Sequence, residues 1–82
     1  MNVSRIYELR PTDGRKSFGG KAQVIVCEDG TEILQSYQTQ MVKREPGGRL
    51  IRLSNFWSAT TGRHIKAFCN CNKAEFQNLP TE

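Results

Sequence analysis

The middle of the chain alternates apolar and polar residues with the two-residue period of β-strands. Residues 21–28 have this pattern and predict a first strand. Residues 31–44 predict a second, longer strand, in which the alternation slips, so we expect a bulge or bend in 36–40,. Residues 49–53 predict a third strand. Residues 3–9 are too few to distinguish a strand from a short helix.

Turn residues separate these strands. Asp29-Gly30 predicts a two-residue hairpin turn, because such turns favour residues that accept positive φ,. Pro46-Gly47-Gly48 predicts the next turn, since proline presets φ and glycine supplies a left-handed position,. Consecutive strands joined by short turns favour an antiparallel meander.

The pattern changes to a helical period over residues 58–72. Ser58 is the expected N-cap, with Thr60 or Thr61 as alternatives,. One face of this helix is expected to be buried against the sheet,. The residues on that face are Thr61, Ile65, Phe68, Asn72 and Phe76, with Cys69 at its edge. Gly62 weakens the helix by roughly 1 kcal/mol relative to alanine, which fits either close backbone contact or simple tolerance.

These elements predict an α+β fold: an antiparallel sheet of three to four strands covered by one C-terminal helix. The 82 residues form a single domain, 1–82, with a small core,. Residues 77–82 are expected to be a frayed tail.

Three stretches of the chain resemble a small, uncharacterised domain family of phage and bacterial proteins. They are Lys16-Ser17-Phe18-x-Gly20-Lys21-Ala22, Leu34-x-Ser36-Tyr37-x-Thr39 and Trp57-Ser58-Ala59-Thr60-Thr61-x-x-His64-Ile65-x-x-Phe68. The family-like core spans residues 16–72. The chain departs from the pattern at 40–42, which is one residue longer, and at Gly62, where a larger residue is common. The resemblance implies a phage or mobile-element origin but no mechanism, and no enzymatic activity is established for the family.

Composition narrows the classes of function. The formal net charge of +4 and the pI of about 9.3 suit a nucleic acid or an acidic protein as partner,. There is no apolar run long enough to cross a membrane and no secretory signal at the N-terminus,. We therefore expect a cytoplasmic protein, in the host cytoplasm if it is phage-encoded, with no membrane partner and no evident small-molecule substrate.

The cysteine and histidine residues give little support for a metal site or for nucleophilic catalysis. His64, Cys69 and Cys71 invite a zinc site, but in a continuous helix the two cysteines point about 160° apart,. The single histidine has no recognisable nucleophile pattern around it,. We expect no catalytic residue, no metal site and no cofactor. Trp57, His64 and Cys71 remain open between structural and functional roles.

Basic residues are the strongest functional indication. Lys43, Arg44, Arg49 and Arg52 flank the Pro46-Gly47-Gly48 turn and predict a basic hairpin. Arg63, Lys66 and Lys73 predict a basic stripe on the outer face of the helix. Within the third strand, Ile51 is expected to face the helix, and Arg52 to face outward. Such surfaces contact phosphates, although ordinary solvated charge is the alternative.

Two hypotheses follow for a small non-enzymatic binding protein. In the first, the basic surface contacts nucleic acid or a host protein that handles nucleic acid. In the second, the chain is a phage-encoded inhibitor that docks on a host protein such as a defence nuclease of the CRISPR type. Salt dependence distinguishes them, because phosphate binding weakens steeply with salt.

Overall fold

The computed structural model describes residues 2–11 and 18–81, where five antiparallel strands form one meander with two helices on one face. Strands that are consecutive in the chain are also neighbours in the sheet, in the order β1-β2-β3-β4-β5. The elements are β1 Val3–Glu8, β2 Ala22–Cys27, β3 Glu32–Ser36, β4 Thr39–Arg44, β5 Leu50–Arg52, α1 Ala59–Cys69 and α2 Lys73–Gln77. Lys16 and Ser17, at the start of the family-like core, lie outside the described residues.

The predicted α+β class and antiparallel sheet are confirmed, but the described residues form five strands and two helices. Residues 3–9, left open by the sequence, contain strand β1, and all six residues of β1 are exposed. None of the helices among residues 2–11 and 18–81 has the length and apolar character needed to cross a membrane.

The core lies between the sheet and the helices. Val24, Leu34 and Val42 pair across β2, β3 and β4 and therefore share one face of the sheet,. On that face they pack with Ile65 and Phe68 of α1. All three strand residues are completely buried.

The predicted long strand 31–44 is wrong, because the chain reverses at Tyr37-Gln38 and forms the β3–β4 hairpin. Tyr37 takes a left-handed backbone with φ of 57°. The slip in alternation is a bulge next to this turn: Leu34 pairs with Val42, whereas Gln35 pairs with Gln40. Met41 is the extra residue, and it is fully buried in the core,.

The β2–β3 turn has three residues, 28–30, between Cys27 and Thr31, which are joined by a 2.8 Å bond from the Cys27 amide to the Thr31 carbonyl; the predicted turn at Asp29-Gly30 had two. The Gly30 amide donates to the Cys27 carbonyl at 3.0 Å, and Gly30 has a φ of 94°. A type I turn followed by a left-handed residue gives this loop, so only Gly30 needs positive φ. The predicted turn at 46–48 is present between β4 and β5.

The predicted orientation of β5 is also wrong. Arg52 pairs with Val42, which faces the helices, and Ile51 pairs with Lys43 on the opposite face. The alternation within a strand fixes which residues share a face, but pairing with β4 decides which face meets the helices.

The predicted helix 58–72 is interrupted. Ser58 is the N-cap, since its side chain accepts from the Thr61 amide at 3.1 Å. Asn70 ends α1 with a φ of 59°, a left-handed conformation that asparagine accepts,. Asn72 then caps α2 through a capping box with Glu75,.

The apolar stripe is confirmed at Thr61, Ile65 and Phe68, which are buried on α1. Asn72 is instead an exposed cap, and Phe76 is fully buried on α2. The tail expected to fray runs beside β5, where the Arg52 amide donates to the Pro80 carbonyl at 2.7 Å.

Candidate functional site

Ser36, Thr61 and His64 form a buried polar cluster between the sheet and α1. Ser36 ends β3 on the helix-facing side, and Thr61 and His64 lie one turn apart on α1. The Ser36 hydroxyl lies 2.7 Å from His64 Nδ1 and 3.2 Å from Thr61 Oγ1. Direct hydrogen bonding between two elements therefore holds the β3–β4 hairpin to the start of α1.

The imidazole of His64 also packs against two aromatic rings. Phe18 meets it edge-on at 4.5 Å between ring centroids, and Tyr37 lies at 5.9 Å. Burial lowers the pKa of His64, and the nearby charges of Arg63 and Lys21 lower it further,. The imidazole is therefore neutral at neutral pH.

A serine hydroxyl beside an imidazole is the arrangement of a nucleophile and its base. Ser36 is only 2% exposed and His64 only 1% exposed. A substrate cannot reach a pair that is buried to this degree. In this structure the pair joins two elements, which is the structural role that the sequence left open for His64.

Tyr37 rises from this buried cluster to the surface. Tyr37 is 49% exposed, and the Lys21 ammonium lies 5.9 Å from the centroid of the Tyr37 ring. The Tyr37 amide donates to the Lys21 carbonyl at 2.7 Å, which ties the hairpin tip to the residue before β2. We call Lys21, Tyr37 and Arg63 the Tyr37 surface: the Lys21 ammonium lies over the Tyr37 ring, the ring packs on His64, and Arg63 precedes His64 on α1.

The predicted helix stripe is divided between two helices. Arg63 and Lys66 are exposed on α1, three residues apart and so on neighbouring turns,. Lys73 is also exposed, but it begins α2 after the break at Asn70. No residue of α1 is acidic, so its exposed charges are cations alone.

The predicted basic hairpin does not form one surface. Arg44 lies on the helix-facing side, where Nη1 donates to the Phe68 carbonyl at 3.1 Å and Nη2 lies 3.0 Å from a Glu32 carboxylate oxygen. Arg52 lies on the same side and donates to the Gln77 carbonyl at 3.3 Å. Both guanidinium groups thus hold the C-terminal ends of helices.

The other two hairpin cations lie elsewhere. Lys43 pairs with Ile51 on the opposite face of the sheet. Arg49 extends from the turn with its side chain 67% exposed, 3.9 Å from Glu45. An ion pair this exposed and this long contributes little. Of the four predicted hairpin residues, Arg49 is the one most accessible to a partner.

Trp57 has a packing role. Its ring lies 5.6 Å from that of Phe76, and it covers Gly62 so closely that a Cβ at that position would be 2.5 Å from Trp57 Cζ2. Glycine therefore occupies position 62 because the Trp57 indole leaves no space for a Cβ, and not because a glycine is merely tolerated there.

The cysteines do not assemble a site among the described residues. Cys27 lies in β2, whereas Cys69 and Cys71 flank the end of α1. Burial and the adjacent Cys71 raise the pKa of the Cys69 thiol to about 12, which suppresses thiolate chemistry,. Within residues 2–11 and 18–81, no group of three or more metal-ligating side chains occurs.

Sequence reasoning overlooked the Tyr37 surface because residues 31–44 were predicted to be one strand. A signal was nevertheless present. The three stretches that carry the family resemblance contain Phe18 and Lys21, Ser36 and Tyr37, and Thr61 and His64, respectively. The structure brings Phe18, Ser36 and Tyr37, from the first two of these stretches, into contact with His64 of the third.

Comparison with known proteins assigns a family but no activity. No curated protein and no solved structure matches the chain. A family model matches residues 7–79, which include every residue of the His64 cluster and the Tyr37 surface. The chain therefore belongs to the family of unknown function DUF8033.

Proposed function

We propose that this chain is a small non-enzymatic module that binds nucleic acid through the cationic surface of α1. The phage or mobile-element origin and the cytoplasmic location belong to the same proposal, and only the sequence resemblance and composition support them. The observation that carries the proposal is the exposure of Arg63 and Lys66 on a helix that contains no acidic residue.

The charge distribution supports this choice of surface. Arg44 and Arg52 are only partly exposed and hold helix ends, and Arg49 lies at a turn with a Glu45 carboxylate oxygen 3.9 Å from its guanidinium. Lys21, Arg63 and Lys66 are all exposed, and α1 has no acidic residue beside its two cations. Side chains of this kind bind phosphates without specifying a base sequence.

The test measures affinity for labelled single-stranded and duplex oligonucleotides by fluorescence anisotropy over a series of salt concentrations. For wild type we expect log affinity to fall linearly with log salt. The Arg63→Gln/Lys66→Gln variant should bind more weakly, with a slope reduced by about 0.7 to 0.9 for each phosphate that the variant no longer neutralises.

The matched control is Arg5→Gln/Arg49→Gln. It also removes two positive charges, but from exposed positions in β1 and the β4–β5 turn. Its affinity and salt slope should stay close to those of wild type. Equal reductions in both variants would show that net charge alone, and not α1, attracts the nucleic acid. A wild-type protein that binds no oligonucleotide would refute the proposed function.

A second candidate, docking on a host protein, has one specific observation in its favour. β1 lies at an edge of the sheet within the described chain and exposes Val3 and Ile6, each to 55%. An edge strand with apolar side chains can extend the sheet of a partner. Capture of a host protein that survives nuclease treatment and high salt, and is abolished by Ile6→Lys, would support this function over nucleic-acid binding.

A further inference from the structure

Tyr37 has a backbone conformation that tyrosine rarely adopts. Its φ of 57° is left-handed, and this region favours glycine or asparagine over residues with bulky side chains,. The strain is retained at the tip of a hairpin, where the side chain is half exposed. Strained residues held by their surroundings are concentrated at binding sites, so the Tyr37 ring is a candidate contact.

The surroundings fix both the backbone and the ring of Tyr37. Its amide donates to the Lys21 carbonyl at 2.7 Å, and its carbonyl accepts from the Gln35 side chain at 3.3 Å. Beneath the ring lies His64, itself held by the 2.7 Å hydrogen bond with Ser36. The ring is therefore presented to solvent by a rigid, buried support, and a ligand that stacks on it does not have to order it.

One cation lies over the ring, and another is the chain neighbour of the histidine that supports the ring. The Lys21 ammonium is 5.9 Å from the ring centroid, and Arg63 is next to His64 on α1. Proteins that bind single strands combine an aromatic ring, on which a base stacks, with cations that follow the phosphates. Lys21 is exposed and has a flexible stem, so its ammonium can move from the ring to a phosphate when a base arrives,.

Tyr7 is a second exposed tyrosine with a cation beside its ring, but it also contacts a carboxylate. It is 37% exposed, and the Arg5 guanidinium lies 5.3 Å from its ring centroid. Its hydroxyl, however, donates to the Glu32 carboxylate at 3.4 Å. That negative charge repels a phosphate, so Tyr7 supplies a matched control.

We propose that Tyr37 is the stacking platform for an unpaired base of single-stranded nucleic acid, with Lys21 and Arg63 binding the adjacent phosphates. This proposal rests on the proposed function and specifies its ligand. A duplex keeps its bases stacked on one another, so the ring favours single strands.

The experiment compares three labelled probes: oligothymidylate of about ten nucleotides, a base-free sugar–phosphate chain of equal length, and a hairpin duplex. Tyr37→Gly should weaken binding of oligothymidylate about tenfold, the reduction typical of one stacked base. It should leave the base-free chain and the duplex unchanged. Its salt slope should equal that of wild type, because stacking releases no counterions.

The effect of Tyr37→Gly on folding is measured separately from its effect on binding. Glycine accepts the left-handed conformation and relieves the backbone strain, but the variant loses the packing of the ring on His64, so binding is compared well below the measured melting temperature of Tyr37→Gly,. Tyr37→Phe should keep wild-type affinity, because it retains the ring. Tyr7→Thr, which removes the control ring and keeps a residue suited to a strand, should also bind as wild type.

The outcomes separate the two proposals. If Tyr37→Gly binds every probe as tightly as wild type while Arg63→Gln/Lys66→Gln binds weakly, the base platform is wrong and the phosphate-binding function remains. If Tyr37→Gly weakens all three probes equally, the ring has no specific contact with bases and the platform is again wrong. If wild type binds none of the probes, both proposals are wrong.

Discussion

Gly62 allows a direct test of how α1 meets the segment before it. An alanine at this position gains about 1 kcal/mol of helix propensity over glycine. Its Cβ, however, would lie 2.5 Å from Cζ2 and 2.9 Å from Cε2 of Trp57. Carbon atoms in contact normally lie about 3.5 to 4.0 Å apart. The indole must therefore move by about 1 Å, and it already packs against Phe76.

Overpacking of this kind costs about 1 to 3 kcal/mol. The gain in helix propensity offsets about 1 kcal/mol of this cost. Gly62→Ala should therefore lower the free energy of unfolding by about 1 kcal/mol. A decrease of about 1 kcal/mol lowers the melting temperature of a domain of this size by about 4 to 8 °C. Urea and thermal unfolding followed by circular dichroism at the helix band measure both quantities.

A double-mutant cycle isolates the interaction between the two residues. In a Trp57→Leu background the indole is gone, so Gly62→Ala should stabilise the protein by about 1 kcal/mol through helix propensity alone. The two substitutions should therefore couple by about 2 kcal/mol, within the range found for residues in contact. If Gly62→Ala stabilises the wild-type background by the same amount, Trp57 does not restrict position 62, and the packing described for Trp57 is wrong.

Three further predictions concern the core, the buried histidine and a helix end. Phe68→Ala should cost about 3 to 5 kcal/mol because Phe68 is only 6% exposed,; a melting temperature within a few degrees of wild type would contradict this. The pKa of His64 is lowered in the folded state. The unfolded chain therefore binds the proton more readily, and stability should be constant above about pH 6.5 and fall as the pH drops towards 5. His64→Gln should flatten that urea-midpoint profile, because the chain has one histidine; a flat wild-type profile would disprove the assignment. Arg44→Ala should cost about 1 to 3 kcal/mol by leaving the Phe68 carbonyl and Glu32 without their partner,. Arg49→Ala, at a 67% exposed side chain, should cost under about 0.5 kcal/mol,. Equal costs in chemical denaturation would contradict the role assigned to Arg44.

The features that the sequence predicted correctly are set by neighbouring residues. Ser58 caps α1 because a hydroxyl at that position reaches an amide three residues later,. Thr61, Ile65 and Phe68 share the buried face of α1 because the helical period places them there,. The antiparallel meander follows from short apolar strands separated by turn residues. These relations act over a few residues and are visible in the sequence alone.

Asn70 and Asn72 were a local signal that helical periodicity concealed. Asparagine accepts a left-handed backbone and also caps helices, so the pair ends one helix and begins another,. The apolar residues on both sides suit a single continuous stripe, which is why the sequence predicted one helix.

Long-range contacts decided the rest. The reversal at Tyr37 contains no glycine or proline, and it is held by the Lys21 carbonyl and by packing on His64. Pairing with β4 determined that Arg52 faces the helices, which removed it from the predicted basic hairpin. The candidate site joins Lys21, Tyr37 and Arg63, which lie far apart in the chain. Only the folded sheet and its covering helix bring them together, because the strain at Tyr37 and the burial of His64 are balanced by contacts absent from any single segment.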